Sequence, residues 1–149
     1  MEHEIFLAYV AGIMDGEGCF RIEKKRPNAA QKSIKYTMMI TLQMGEKAVM
    51  DHIASHLEIT PLFINLQQWK YKDNQPRRPA YRIQLFSKRA ADFIRLILPY
   101  LVGKKEQARL CLEFNDLISS QVKLKRKFTE SELAIRDDYY ERVTLLKHI

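Results

Sequence analysis

Tyr9-Val10-Ala11-Gly12-Ile13-Met14-Asp15-Gly16-Glu17-Gly18-Cys19-Phe20 is the stretch on which the reading of this chain turns. Residues 4–15 are apolar on most sides, which predicts a buried helix. Ala8 and Gly12 stand four residues apart and so share one helical face, where small side chains let another helix approach closely. Gly16 and Gly18 then end the helix, at positions that call for φ > 0 or a close backbone approach. Glu17 sits between them at the tip. The helix macrodipole opposes a carboxylate at a C-terminus, so something else must favour it there, and a divalent cation with a taste for oxygen ligands would do so. Asp15 reads as a local hydrogen-bond acceptor that buttresses this corner rather than as a second ligand.

Outward from the helix the pattern changes period. Residues 34–44 alternate, with Ile34, Tyr36, Met38, Ile40 and Leu42 on one face and Lys35, Thr37, Met39, Thr41 and Gln43 on the other. That is the signature of a half-buried antiparallel strand. Residues 19–25 set Phe20 and Ile22 against Arg21, Glu23 and Lys25, with Lys24 breaking the apolar face, and Pro27-Asn28 marks the loop between the two strands. Residues 62–71 and 80–86 repeat the arrangement around Asp73-Asn74-Gln75-Pro76, with Tyr81, Ile83 and Leu85 opposing Arg82 and Gln84. Helices are expected over residues 46–57, over 88–98 after an N-cap at Ser87 and before Pro99, over 104–119, and from Thr129 onward, where Glu132 completes a capping box. The order is α-β-β-α-β-β-α-α-α, an α+β chain read as one domain over residues 1–149.

The chain has 149 residues, 46% of them hydrophobic, enough apolar material to exclude global disorder. Its formal net charge is +7, and the positive charge is concentrated. Residues 21–44 hold six bases and one acid, and residues 65–89 hold seven bases and one acid. Both blocks fall on the expected strands, which favours a polyanionic partner and above all nucleic acid. Cys19 and Cys111 are too few for a disulfide framework and read as reduced thiols. No apolar run approaches the ~20 residues that span a bilayer, and Glu2-His3-Glu4 is not the start of a targeting segment. An intracellular protein without membrane partners, in the cytoplasm or an organelle matrix, is expected. His52 and His56 have the spacing of paired ligands on one helix but lack a third, so a structural role is expected. Trp69 is expected to pack rather than stack on a base, and Lys123-Leu124-Lys125-Arg126-Lys127 reads equally as a DNA contact or a solvated linker.

Val10 through Gly18 resembles the nine-residue signature of the LAGLIDADG homing endonuclease family, with Val10 in place of the usual leucine and Glu17 where most members carry Asp. Pro99-Tyr100-Leu101 followed by Lys104-Lys105-Glu106-Gln107-Ala108 looks like the family's lysine segment at the start of a late helix. Gln43-Met44-Gly45-Glu46-Lys47 looks like the end of its second strand. The resemblance implies an αββαββα fold with a four-stranded antiparallel sheet, here with extra C-terminal helices. It implies a metal held at Glu17 and Gly16, Lys104 beside the scissile phosphate and Glu46 ordering active-site water. Glu17, Lys104 and Glu46 are therefore the implied catalytic residues. Mg²⁺ is the implied cofactor, with Mn²⁺ or Ca²⁺ able to replace it in the site.

Only one motif is present, and single-motif members pair as homodimers through their motif helices, here implied at Ala8, Ala11 and Gly12. The implied activity is cleavage of a long, near-palindromic double-stranded DNA site, leaving 3′ overhangs. A sheet can lie in the major groove and reach base edges. The candidate contacts are Arg21, Glu23, Lys25, Lys35, Thr37, Thr41, Gln43, Gln67, Lys70, Arg82 and Gln84 on the sheet face. Arg and Lys suit guanine, Gln suits adenine, and Glu23 suits cytosine. Lys32, Lys72, Arg77 and Arg78, near loop tips, read as phosphate clamps. The alternatives are a maturase that binds host-intron RNA and a non-cleaving DNA-binding protein of the same fold.

Overall fold

A computed structural model describes residues 2–30, 33–58, 62–64, 79–122 and 127–147. The elements are α1 (Glu2–Glu17), β1 (Gly18–Lys25), β2 (Lys35–Met44), α2 (Lys47–His56), β3 (Leu62–Ile64), β4 (Ala80–Phe86), α3 (Ser87–Ile97), a 3₁₀ turn (Leu98–Tyr100), α4 (Lys105–Val122) and α5 (Glu130–Leu146). The antiparallel strands lie in the order β1-β2-β4-β3. Three of them, β1, β2 and β4, make the body of the sheet, and β3 adds three residues along the β4 edge.

Alternation does the folding work predicted for it. Phe20, Ile22, Met38, Ile40, Leu42, Ile83 and Leu85 share one face and are buried against Val10, Met14, Ile94, Ile97 and Phe114 of the helical layer. Removing each large side chain of this kind from water contributes about 1.5–3 kcal/mol. Cys111 lies in the same core, where burial pushes its thiol up to about 12 and so keeps it protonated and inert. Both cysteines are free thiols.

Three local expectations need correction. Met39 alternates onto the polar face but is only 2% exposed, with Arg21 and Phe86 as its cross-strand neighbours. Long flanking side chains can bury an apolar residue on an otherwise open sheet face. Ser87 is not the cap of α3. Phe86 holds the N-cap position without a side-chain bond, and Ser87 enters the helix at φ 48, in the left-handed region. Lys24 does not simply interrupt the apolar face. Its ammonium bonds Asp137 of α5, while the Tyr36 hydroxyl donates to the same carboxylate at 2.9 Å. The Lys24 bond, foremost, holds the Asp137 carboxyl below its ordinary value and raises the lysine in return. This tie docks the last helix on the end of the sheet.

At Thr129 the capping box forms as expected. The hydroxyl accepts from the Glu132 amide at 3.2 Å, and the Glu132 carboxylate accepts from the Thr129 amide at 2.9 Å.

Gly18 is required by close approach rather than by backbone sign, since no glycine of the described residues has a positive φ. A Cβ at Gly18 would lie 2.3 Å from Met14 Cε, 2.5 Å from its Sδ and 3.0 Å from its backbone Cα. Met14 is buried, so its side chain would have to shift within the packed core, and its backbone Cα is close as well. Gly18→Ala is therefore expected to lower stability by about 1–3 kcal/mol through overpacking, read as a shift in the midpoint of chemical denaturation without a change of slope.

Candidate active site and nucleic-acid face

The tip of α1 is fixed from within. Leu7, Val10, Ala11 and Met14 bury the inner side of the helix, and Gly18 turns the chain directly into β1. The outer side stays open. Ile5 is 63% exposed, and Ala8, Gly12, Gly16 and Glu17 are exposed with it. Ala11, expected on the pairing face, is fully buried in the protomer's own core, so that expectation fails at this residue. Its position one residue before Gly12 turns it by about 100° around the helix, off the open face and into the core. Ala8 and Gly12 do lie on the open face.

Asp15 is a hydrogen-bond acceptor, but its partners are far away in sequence rather than local. One carboxylate oxygen accepts from the Val102 amide and the other from the Lys104 amide, both at 2.9 Å. The two bonds clamp the segment before α4 against the end of α1. A consequence is the placement of Lys104, whose half-buried ammonium donates to the Gly18 carbonyl at 2.5 Å. The residue after Glu17 is thus in direct contact with the lysine. An acid and a cation separated by most of the chain converge on one corner, beside a cleft of about 350 Å³ lined in part by Asp15, Gly103, Lys104 and Lys147.

Glu46 is less closely engaged. It occupies the N-cap position of α2, exposed and without a side-chain cap bond, and among the described residues no hydrogen bond or ion pair joins it to Glu17 or Lys104. Along an apolar groove between α1 and α2, His56 stacks on Phe6 while His52 meets Phe6 and Tyr9 edge-on, a packing arrangement. Among the described residues no group of three or more His, Cys, Asp or Glu side chains could hold a metal ion. Glu17 is exposed at this corner, two residues from the Asp15 carboxylate, whose oxygens are engaged by backbone amides.

The sheet face leads away from it. Cross-strand register places Cys19, Thr41 and Gln84 in one row, Arg21, Met39 and Phe86 in the next, then Glu23 with Thr37 and Lys25 with Lys35. Gln43 and Arg82 form a further row on the other side of Thr41. Arg21 Nε and Thr41 Oγ1 on this face are buried without a hydrogen-bond partner among the described residues. Lys32, Gln67, Lys70, Lys72, Arg77, Arg78 and Trp69, together with residues 123–126, lie outside the described residues. The sequence reading missed the Asp15 clamp and the Lys24–Asp137 tie. No signal of local spacing marks either, because the partners are 87 to 113 residues apart.

These features define a chain of the homing-endonuclease fold. The structure is similar to that of the homing endonuclease I-CvuI in complex with its target in the presence of calcium, with a TM-score of 0.70 at 17% identity, covering 97% of this chain and 83% of that one. It is similar to the archaeal intron-encoded homing endonuclease I-Vdi141I complexed with DNA, with a TM-score of 0.67 at 16% identity, covering 95% of this chain and 84% of that one. Against the meganuclease I-SmaMI bound to uncleavable DNA the TM-score is 0.64 at 13% identity, covering 91% of this chain but only 43% of that one. No curated protein matches the chain by sequence. The family model described as LAGLIDADG endonuclease matches residues 10–113, and the chain belongs to that family of nucleases.

Proposed function

We propose that the protein is a site-specific double-strand DNA endonuclease that acts as a homodimer, hydrolyses phosphodiesters with a divalent cation and leaves 3′ overhangs. The observation that carries this reading is the contact of Lys104 with the Gly18 carbonyl, one residue from Glu17, at the end of a sheet face that presents Arg21, Lys25, Lys35 and Arg82. The face supplies affinity through phosphates and specificity through base edges, and the corner supplies the chemistry.

The residues fit a Mg²⁺ ion. Mg²⁺ takes one or two carboxylates and completes its shell with waters and substrate phosphate oxygens, and an exposed lone acid at a helix tip suits that demand. Glu17 and the neighbouring Gly16 would hold it, with Mn²⁺ or Ca²⁺ able to occupy the same ligands. When bound, the cation supplies Lewis-acid activation of water and neutralises charge at phosphorus. Lys104 does the rest of the electrostatic work. An ammonium has three donors, and one is committed to the Gly18 carbonyl, which fixes its direction and leaves two for phosphate oxygens. Asp15 positions it without touching substrate. Glu46 stands near the start of α2, where an acid can order water.

Pairing is supported by the open side of α1. A Cβ built on Gly12 or Gly16 meets nothing within 4 Å, so packing inside the protomer does not explain the lack of side chains there. A second copy laid against Ala8, Gly12 and Gly16 does explain it. The chain also spans only 43% of I-SmaMI, as half of a larger enzyme would. No observation favours an RNA partner or a binding-only role. The test is incubation with a randomised duplex library and Mg²⁺. Sequencing of the cut ends is expected to return one long, near-palindromic site with 3′ overhangs, and chelation with EDTA is expected to stop cutting. Cutting without sequence preference, or undiminished by EDTA, would overturn the reading.

A further inference from the structure

On the open face of the sheet, Gln43 of β2 and Arg82 of β4 are direct cross-strand partners. Arg82 Nε donates to Gln43 Oε1 at 2.8 Å, and Arg82 Nη2 donates to the same oxygen at 2.6 Å. Both side chains are half-buried, and no carboxylate among the described residues pairs with the guanidinium. The geometry has a chemical consequence for each partner. A carboxamide oxygen has two lone pairs, and here both are engaged by the guanidinium. Gln43 therefore offers only its two amide N–H donors. It cannot make the paired contact to adenine, which requires the oxygen to accept from N6 while the nitrogen donates to N7. The guanidinium spends its Nε edge on Gln43, which leaves the Nη1–Nη2 fork pointing away from that bond with donors to spare.

We infer that Gln43 and Arg82 work as one base-reading unit that presents donors only and selects guanine, with Arg82 reading the base and Gln43 holding its fork in place. Guanine is the base whose major-groove edge carries two neighbouring acceptors, O6 and N7. The inference rests on the DNA-endonuclease reading above, and it departs from the simple pairing of glutamine with adenine at residue 43. Holding the guanidinium before DNA arrives removes rotamer freedom that would otherwise be lost on binding. Gln43 is thus a positioning residue, and Arg82 the specificity-determining one.

The experiment is cleavage-site selection from a randomised duplex library with Mg²⁺, run in parallel on the natural protein, Arg82→Ala, Arg82→Lys and Gln43→Ala. The natural protein is expected to select guanine at one symmetric position of each half-site. Arg82→Ala is expected to lower discrimination at that position by roughly tenfold or more while leaving the other positions unchanged. Arg82→Lys keeps the charge but not the fork, so it is expected to lose the same discrimination with the salt dependence of binding retained. Gln43→Ala is expected to keep guanine as the favoured base with discrimination weakened. An adenine preference that disappears in Gln43→Ala and survives in Arg82→Ala would overturn the assignment, as would an Arg82→Ala profile identical to the natural one. A natural protein that selects no site at all would instead remove the endonuclease reading beneath it, a result distinguishable from either.

Discussion

Glu17→Gln leaves a protein that still binds its duplex and no longer cuts it. The substitution keeps the shape of the side chain and removes its charge, and Glu17 is exposed at the helix tip, so neither packing nor the tip geometry depends on ionisation there. On the proposed reading, however, the cation would lose the carboxylate that Glu17 contributes. A fall in cleavage rate of at least roughly a hundredfold is expected, by analogy with loss of a single group that stabilises transition-state charge. Binding measured by gel shift in Ca²⁺ or in EDTA is expected to stay within a few-fold of the natural protein, because the proposed DNA contacts lie on the sheet face rather than at Glu17. Retention of full Mg²⁺-dependent cutting by the variant would sink the assignment of Glu17.

Gly12→Leu is expected to separate the protomers without unfolding them. The residue lies on the open side of α1, and a Cβ there has empty space within the protomer. Replacing a helical glycine even favours the free chain, by up to about 1 kcal/mol of helix propensity. In the proposed pairing, a leucine at the point of closest approach between two motif helices would force them apart, and 3-4 or 4-4 packing at 8–10 Å would be lost. Sedimentation is expected to move from dimer to monomer, circular dichroism and thermal unfolding of the protomer to be retained, and double-strand cleavage to fall with the dimer. A variant that remains dimeric and active would show that pairing uses another surface. Gly18→Ala forms the contrast, since it harms the protomer itself.

The period-2 runs at 34–44 and 80–86 and the Thr129–Glu132 box set out most of the fold in the sequence, because strand alternation and capping are local. The bounds of β4, Ala80–Phe86, coincide with the run. What could not be read locally was pairing across the chain. Asp15 gives no hint of the amides it holds, Lys24 gives no hint of Asp137, and Gln43 gives no hint that its oxygen is already engaged by Arg82. Ala11 was misplaced for a different reason. In a helix that is apolar on most sides, composition does not say which side faces the protomer's own core, and only packing decides it. Glu17, Gly16 and Lys104 were nominated as site residues by resemblance to a motif. The contact of Lys104 with the Gly18 carbonyl became visible only in three dimensions.

The Asp15 clamp also ties the motif helix to a part of the chain that is synthesised much later. Its amide partners arrive 87 and 89 residues after the carboxylate, so a nascent or truncated chain that stops short of residue 104 carries the acid without the lysine. If Lys104 acts as proposed, a fragment that ends before residue 104 is expected to lack nuclease activity even though it carries the whole signature peptide, which cleavage assays on such a fragment would check.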